Sequence, residues 1–152
     1  MPGNNLTRAE AAERSAHLSI HHYDVSIDVT RGEETFIATT KVTFACNKPG
    51  YSTFIDAVGK RIISATLNGA PVDTSSFDGE SLALSNLKAE NLLEISVEAI
   101  YSKSGEGLQR SVDPVDNEVY LYSQGETAFI RNMYPCFDQP DLKATFAISV
   151  LA

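Results

Sequence analysis

Alternating apolar and polar positions dominate the first half of the chain and predict β-strands. Tyr23, Val25 and Ile27 alternate with polar side chains, which is the pattern of a strand with one buried face. After a polar turn at 31–34, a second alternating run places six side chains on one face: Phe36, Ala38, Thr40, Val42, Phe44 and Cys46. We expect the two strands to pair as a hairpin.

Further short strands are predicted between turn-forming residues. Asn68-Gly69 is typical of a two-residue hairpin turn, because both residues tolerate positive φ. A later alternation is equally clear and places these side chains on one face: Leu93, Ile95, Val97, Ala99 and Tyr101. The remaining predicted strands cover 54–55, 62–67, 71–72, 81–84, 120–124 and 142–150. Residues 102–117 show no periodicity and are predicted to form a long loop.

One short helix is predicted near the start of the chain. Thr7 and Glu10 have the spacing of a capping box, and an Ala/Glu-rich stretch continues to about Arg14. Strands elsewhere follow one another at close intervals, which favours an all-β fold: an antiparallel β-sandwich or open, curved β-sheets. A chain of 152 residues suits one domain with a real core, so we expect a single domain over 1–152 with a boundary near Ala152.

Charge and cysteine content narrow the functional classes. The formal net charge is -8, and an acidic surface repels phosphate backbones and anionic lipids, so we expect no nucleic-acid or membrane partner. The first 20 residues contain no continuous apolar run, so we expect no secretion signal and a cytoplasmic location. In that setting Cys46 and Cys136 are predicted to be reduced, mostly buried thiols.

Two histidines have the spacing of a helical zinc site, but the other features of such a site are missing. His17 and His21 are four residues apart, yet Leu18 stands where a metalloprotease carries its glutamate base. The segment also has a strand pattern, in which these positions lie about 13 Å apart. We therefore predict that His21 and His22 are surface or edge-strand residues.

Other chemistry-bearing residues also have a simpler structural interpretation. Cys136 could be a nucleophile, but no histidine base occurs after His22, so a buried thiol in a packed turn is favoured. Asp138 is predicted to be a turn or capping acid. An acidic cluster lies at the end of the unpatterned stretch, and we predict a solvated loop rather than a cation site for Asp113, Asp116 and Glu118.

The most distinctive stretch of the chain is 118–146. It contains Tyr122-Ser123-Gln124-Gly125-Glu126, then Pro135-Cys136-Phe137-Asp138-Gln139-Pro140, then Lys143-Ala144-Thr145-Phe146. These segments resemble, in register, the end of the N-terminal domain in zinc aminopeptidases of the aminopeptidase N family. The run from Leu108 to Asp116 also resembles the actinobacterial branch of that family. Ser123 and Gln139 replace the family's commoner Thr and Glu, and Gly125 stands where a larger residue is usual.

This resemblance implies a fold and a function. The family's domain is a saddle-shaped β-structure. The glutamate at the position of Glu126 helps bind the free α-amino group of a peptide substrate, and the glutamine at the position of Gln124 lines the pocket for its first side chain. The resemblance also implies that the peptide bond between Glu126 and Thr127 is cis. A fixed carboxylate suits an ammonium group, because their hydrogen bond is charge-assisted.

The resemblance places the catalytic groups outside this chain. In the family, a His-Glu-x-x-His helix and a more distant glutamate bind zinc, and a Gly-x-Met-Glu-Asn loop supplies a second amine-binding carboxylate. None of these motifs occurs in the 152 residues. We therefore expect substrate-binding residues here, but neither catalytic residues nor metal ligands. The expected partners are peptides with a free N-terminus and the enzyme's own catalytic domain.

Two alternative functions remain open at this point. One is a stand-alone β-sandwich module that binds carbohydrate or protein, although the absence of Trp weakens the carbohydrate case. The other is a non-catalytic scaffold member of the same superfamily. The length of the native reading frame distinguishes them, since only the enzyme continues into a His-Glu-x-x-His segment.

Overall fold

The computed structural model describes residues 5–152, which form one α-helix, two short 3-10 turns and ten β-strands. The helix is α1, Arg8–His17, and the 3-10 turns are Thr74–Ser76 and Ile130–Asn132. The strands are β1 (Leu18–Asp28), β2 (Thr35–Cys46), β3 (Thr53–Asp56), β4 (Arg61–Leu67), β5 (Ala70–Pro71), β6 (Ser81–Leu84), β7 (Glu90–Ile100), β8 (Gly107–Val112), β9 (Val119–Gln124) and β10 (Thr145–Leu151). Within the described residues, no helix is both long and apolar enough to span a membrane.

Six of the strands form one large sheet in the order β10-β1-β2-β7-β4-β5. Two smaller sheets each contain two antiparallel strands, β3 with β6 and β8 with β9. The predicted all-β class with a short N-terminal helix is confirmed. The large sheet is nevertheless mixed rather than wholly antiparallel, because β10 returns along the chain direction of β1 and pairs with it in parallel.

The predicted strand faces are confirmed in the core. All six side chains assigned to one face of β2 are buried, and so are the four on β7 together with Tyr101, which directly follows that strand. On β1, Tyr23, Val25 and Ile27 are buried, and β1 pairs with β2 as an antiparallel hairpin. The turn between β4 and β5 has positive φ at both Asn68 and Gly69, as its sequence predicts.

The prediction of a continuous loop over 102–117 is wrong. Residues Gly107–Val112 form β8, which pairs along its whole length with β9. Leu108 and Gln109 are buried side by side, so β8 has no apolar–polar alternation to reveal it. Its conformation depends on pairing with β9, whose residues lie 7 to 17 positions later in the chain. Two boundaries also differ from the predicted ones: α1 continues past Arg14 to His17, and β10 begins at Thr145 rather than at 142.

The helix starts where the capping box predicts. The Thr7 Oγ1 accepts a hydrogen bond from the Glu10 backbone N–H at 3.3 Å, and the Glu10 carboxylate accepts one from the Thr7 N–H at 2.8 Å. These contacts satisfy N–H groups that have no partner within the helix. The cap fixes the start of α1, which carries Arg14 into the interior on its last turns.

The last strands of two sheets carry apolar side chains that lie at the surface. Every residue of β9 and β10 is exposed. On β10, Phe146, Ile148 and Val150 share one face and are each at least half exposed, and the Phe146 ring stacks on Tyr23 with centroids 4.8 Å apart. Contiguous apolar surface of this kind is typical of a contact with another protein or domain.

The junction of β8 with the Ile130–Asn132 turn depends on a glycine. Gly107 has a φ of +76°, and a Cβ built on it would lie 2.6 Å from the Asn132 Cβ. We expect Gly107→Ala to cost more free energy of unfolding than Gly50→Ala. Both positions have positive φ, which costs roughly 1–2 kcal/mol for a residue with a Cβ, but the Gly50 site has no neighbour within 4 Å.

Urea denaturation of both variants measures the difference. It should exceed about 1 kcal/mol, the lower end of the cost of overpacking. Equal losses for the two variants would show that the contact with Asn132 relaxes freely.

Candidate functional site

The structure places both predicted substrate-binding residues at one end of β9. Gln124 is the last residue of the strand and pairs with Gly107 of β8, while Glu126 follows just beyond the strand. Both are exposed. Within residues 5–152, neither side chain has a hydrogen bond or an ion pair. Their polar groups are therefore available to a ligand or to another domain.

The backbone after β9 folds into a closed turn that holds Glu126. The Phe129 N–H donates to the Gly125 carbonyl at 3.1 Å, and the Ile130–Asn132 turn follows at once. The bond between Glu126 and Thr127 is cis, as the resemblance implies. Gly125 is needed for steric reasons rather than for a positive φ, because Ile130 packs directly against its Cα.

The Pro-Cys-Phe-Asp-Gln-Pro segment is fixed to the core by its backbone. Cys136 and Asp56 exchange two backbone hydrogen bonds, each 2.9 Å long. The Phe137 N–H donates to the Tyr23 hydroxyl oxygen at 3.1 Å, and the Phe137 ring meets Phe44 edge to face at 5.2 Å. The segment therefore spans from β3 to the large sheet.

A buried ion pair lies beneath this segment. Arg14 and Asp56 are 2% and 4% exposed, and the Arg14 Nη1 donates to the Asp56 Oδ2 at 3.2 Å. The Arg14 Nε donates to the Gln139 Oε1 at 2.9 Å, and the Gln139 Nε2 donates to the Ala11 carbonyl at 2.9 Å. The Arg14 guanidinium also lies 4.7 Å from the centroid of the Phe54 ring. An amide suits position 139, since a carboxylate could not donate to a carbonyl.

The same carboxylate connects this network to the turn that follows Glu126. The Asp56 Oδ2 also accepts from the Asp138 N–H at 3.0 Å, and the Asp56 Oδ1 lies 3.8 Å from the Arg131 Nη1. The Asp138 carboxylate accepts from the Arg131 N–H at 3.1 Å. Burial raises the pKa of Asp138. The Ile130–Asn132 turn is thereby held to the core through Arg131.

Comparison with known proteins identifies the domain. Residues 19–152 match the family model described as the Peptidase M1 N-terminal domain. The chain belongs to the Peptidase M1 N-terminal domain family. It is 41% identical over 156 residues to aminopeptidase N from Streptomyces lividans, an alignment that covers 100% of this chain and 18% of that protein.

Solved structures share the fold of this M1 N-terminal domain. A zinc metallopeptidase of the M1 family from Deinococcus radiodurans superposes with a TM-score of 0.69 at 24% identity, covering 88% of this chain and 32% of that one. Aminopeptidase A from Legionella pneumophila superposes with a TM-score of 0.73 at 16% identity, covering 88% of this chain and 16% of that one. The chain thus spans under a fifth of the length of its aminopeptidase N relative from Streptomyces and about a third of the Deinococcus chain.

Cys136 and Asp138 have structural roles in this M1 N-terminal domain. Both cysteines are free and buried, as predicted. Burial raises the pKa of the Cys136 thiol, which therefore stays protonated and poorly nucleophilic. Asp138 caps the backbone at Arg131, which agrees with its predicted role. Two carboxylates of the acidic loop are also used within it: Asp113 and Asp116 each accept a hydrogen bond from a backbone N–H two residues later.

The histidines of the domain have separate partners. The His17 Nδ1 lies 2.9 Å from the Asn47 Oδ1, and the His21 Nε2 lies 3.4 Å from Glu90. His21 is exposed, as predicted, whereas His22 is half-buried on β1, which lies between β10 and β2 and is therefore not an edge strand. Over residues 5–152, no three His, Cys, Asp or Glu side chains meet in a group that could hold a metal ion. These residues do not fit a zinc site.

The sequence analysis did not predict Arg14 and Asp56, the two buried charged residues beneath the candidate site. Arg14 lies in an Ala/Glu-rich helix and resembles its solvated neighbours in sequence. Asp56 gives a weak signal, since it directly follows the apolar pair Phe54-Ile55. Their pairing joins residues 42 positions apart, so no local pattern could reveal it.

We expect Asp56→Ala to destabilise the domain strongly. The change leaves the Arg14 guanidinium buried without its anion and removes the acceptor of the Asp138 N–H, and loss of one partner of a buried pair typically costs about 3–5 kcal/mol. Arg61→Ala is the matched control, because Arg61 pairs with Glu98 at 2.8 Å while remaining 65% exposed. Exposed pairs contribute about 0–1 kcal/mol.

The measurement is the free energy of unfolding in urea for both variants. A loss for Asp56→Ala as small as that for Arg61→Ala would mean that the buried pair does not hold the segment in place.

Proposed function

We propose that this chain is the N-terminal domain of a zinc aminopeptidase that removes N-terminal residues from peptides. Glu126 binds the free α-amino group of the substrate, and Gln124 lines the pocket for its first side chain. The observation that carries the proposal is the exposed Glu126 carboxylate, which has no partner within residues 5–152 and sits on a turn attached to the buried network. The Streptomyces relative, by name an aminopeptidase N, supports the reaction class.

The placement of Glu126 suits the recognition of an ammonium group. The turn holds the backbone of Glu126, so less conformational freedom is lost when its carboxylate forms a charge-assisted hydrogen bond with an ammonium group. Blocked N-termini lack the positive charge and would leave the carboxylate unpaired. This chemistry distinguishes an aminopeptidase from a peptidase that cleaves within a chain.

In this proposal, zinc is bound only by the remainder of the enzyme and not by this domain. The described residues do not fit a metal site. In this proposal the zinc ligands and the general base lie in another domain of the enzyme. We assign this domain the binding of the substrate's amino terminus and one wall of the active site.

The exposed apolar strands support a catalytic domain as the partner. A cleft of about 530 Å³ lies beside β10, lined in part by Tyr23, Ile130, Leu142, Phe146 and Ile148. Both β9 and β10 carry exposed apolar side chains, which is typical of a surface that contacts another protein or domain. A domain that covers it would also shield Glu126 from solvent and strengthen its pairing with an ammonium.

The 152-residue chain alone should fold without binding stoichiometric zinc and without hydrolysing aminoacyl substrates. The reason is that the metal ligands and the base are expected elsewhere in the enzyme. Metal analysis after dialysis and a fluorogenic aminopeptidase assay test this expectation. About one zinc per chain, or clear turnover, would contradict it.

Glu126→Ala should impair substrate recognition and leave folding intact. Its exposed side chain predicts a change in the free energy of unfolding within about 0.5 kcal/mol. In the complete enzyme the change removes the partner of a desolvated ammonium, which typically costs about 2–5 kcal/mol. That is a loss of roughly 30- to 4000-fold in kcat/KM. Glu126→Gln should lose less, and Gln124→Ala should mainly alter the preference among first side chains.

The control is Glu118→Ala, which removes the same charge just before the other end of β9, where Glu118 is also exposed. It should leave kcat/KM on a free-amino dipeptide substrate nearly unchanged. If Glu126→Ala stays within twofold of the wild type on that substrate, Glu126 does not bind the amino group.

A further inference from the structure

The Ile130 side chain occupies the space that any side chain at position 125 would need. A Cβ built on Gly125 would lie 2.5 Å from the Ile130 Cγ1 and closer still to its Cδ1. Carbon atoms in van der Waals contact are about 3.5–4.0 Å apart. Ile130 is half-buried and packs against the hydrophobic core. Its β-branched side chain has few rotamers, so it forms a stiff support under Gly125.

A second glycine makes the same contact on the neighbouring strand. Gly107 is the partner of Gln124 in the β8–β9 pair, and its Cβ position would meet the Asn132 Cβ at 2.6 Å. The Ile130–Asn132 turn therefore reaches the backbone of both strands at the end where Gln124 and Glu126 lie. The contacts are close because neither glycine has a side chain in between.

The turn itself is attached to the core at its middle residue. The Val58 N–H donates to the Arg131 carbonyl at 3.0 Å, and the Arg131 N–H donates to the Asp138 carboxylate at 3.1 Å. Val58 lies two residues after Asp56, so the turn is anchored beside the buried ion pair. A continuous set of contacts thus runs from the core through Ile130 to the end of β9.

We infer that Ile130 is a positioning residue, which fixes the direction in which the end of β9 presents Glu126 and Gln124. The inference rests on the proposed function of Glu126 and adds a residue that touches no substrate. A shorter side chain at 130 would leave a void beside Gly125 and release the strand end. Misplacing a binding group by about 1 Å can cost on the order of 100-fold in rate.

The first experiment measures backbone motion in the 152-residue chain. We expect Ile130→Ala to lower the NMR order parameters of the Gly125 and Glu126 amides from about 0.85, typical of rigid backbone, towards about 0.6. Ile130→Val keeps the branch at Cβ and should retain most of the rigidity. Ile62→Ala is the matched control, since Ile62 is also half-buried against the core but lies on β4.

Two results of that experiment would overturn the inference. One is an unchanged order parameter at Gly125 and Glu126 in a folded Ile130→Ala chain. The other is an equal decrease in Ile62→Ala, which would indicate general loosening of the core. Should Ile130→Ala fail to fold, Ile130→Val decides: a small decrease confined to Gly125 and Glu126 is expected, and no decrease there would overturn the inference.

The second experiment measures kcat/KM of the complete enzyme on a free-amino dipeptide substrate. Ile130→Ala should lower it by about 10- to 100-fold. In a Glu126→Ala background the same change should cause a much smaller further loss, because the carboxylate that it positions is absent and Gln124 mainly sets the preference among first side chains. Equal losses in both backgrounds would overturn the positioning role.

These outcomes keep the two proposals separate. A Glu126→Ala enzyme within twofold of the wild type defeats the proposed function, whatever Ile130→Ala does to the backbone. A large loss for Glu126→Ala, with none for Ile130→Ala, defeats only the inference about Ile130.

Discussion

The domain is organised around the buried pair of Arg14 and Asp56. Each ion loses its hydration on burial, which costs several kcal/mol, so the pair is tolerable only if its remaining hydrogen-bonding capacity is used. Gln139 and the Asp138 N–H supply much of that capacity. The consequence is geometric: α1, β3 and the Pro-Cys-Phe-Asp-Gln-Pro segment must come together at one point, or a charge is left unpaired.

In this arrangement the Pro-Cys-Phe-Asp-Gln-Pro segment, the most recognisable part of the sequence, has a structural role. Cys136 and Asp138 are the residue types that suggest catalysis, yet one is a protonated, buried thiol and the other caps a backbone N–H. The two residues proposed to meet the substrate lie outside the segment and at the surface. The segment acts on them indirectly, since it fixes the turn against which the end of β9 packs.

Periodicity predicted the parts of the fold in which one face of a strand is buried. It predicted the buried faces of β1, β2 and β7, because successive side chains on a strand point to opposite sides of the sheet. It failed for β8, where adjacent residues are both buried and pairing with β9 decides the conformation. It also gave no sign of Arg14 or of the contact between Ile130 and Gly125, which depend on tertiary structure. Glu126 was found only through a sequence motif, since an exposed carboxylate after a glycine has no pattern of its own.

The exposure of Glu126 sets a limit on what the domain can do alone. In water, an ammonium paired with an exposed carboxylate gains about 0–1 kcal/mol, too little for selective binding. The same pair gains more once a neighbouring domain excludes solvent, because the attraction rises as the effective dielectric constant falls. In the proposed function, Ile130 and the buried network hold the backbone of the site in place. Exclusion of water would come from a domain that covers β9 and β10, so the proposed recognition of a free amino terminus requires both parts of the enzyme.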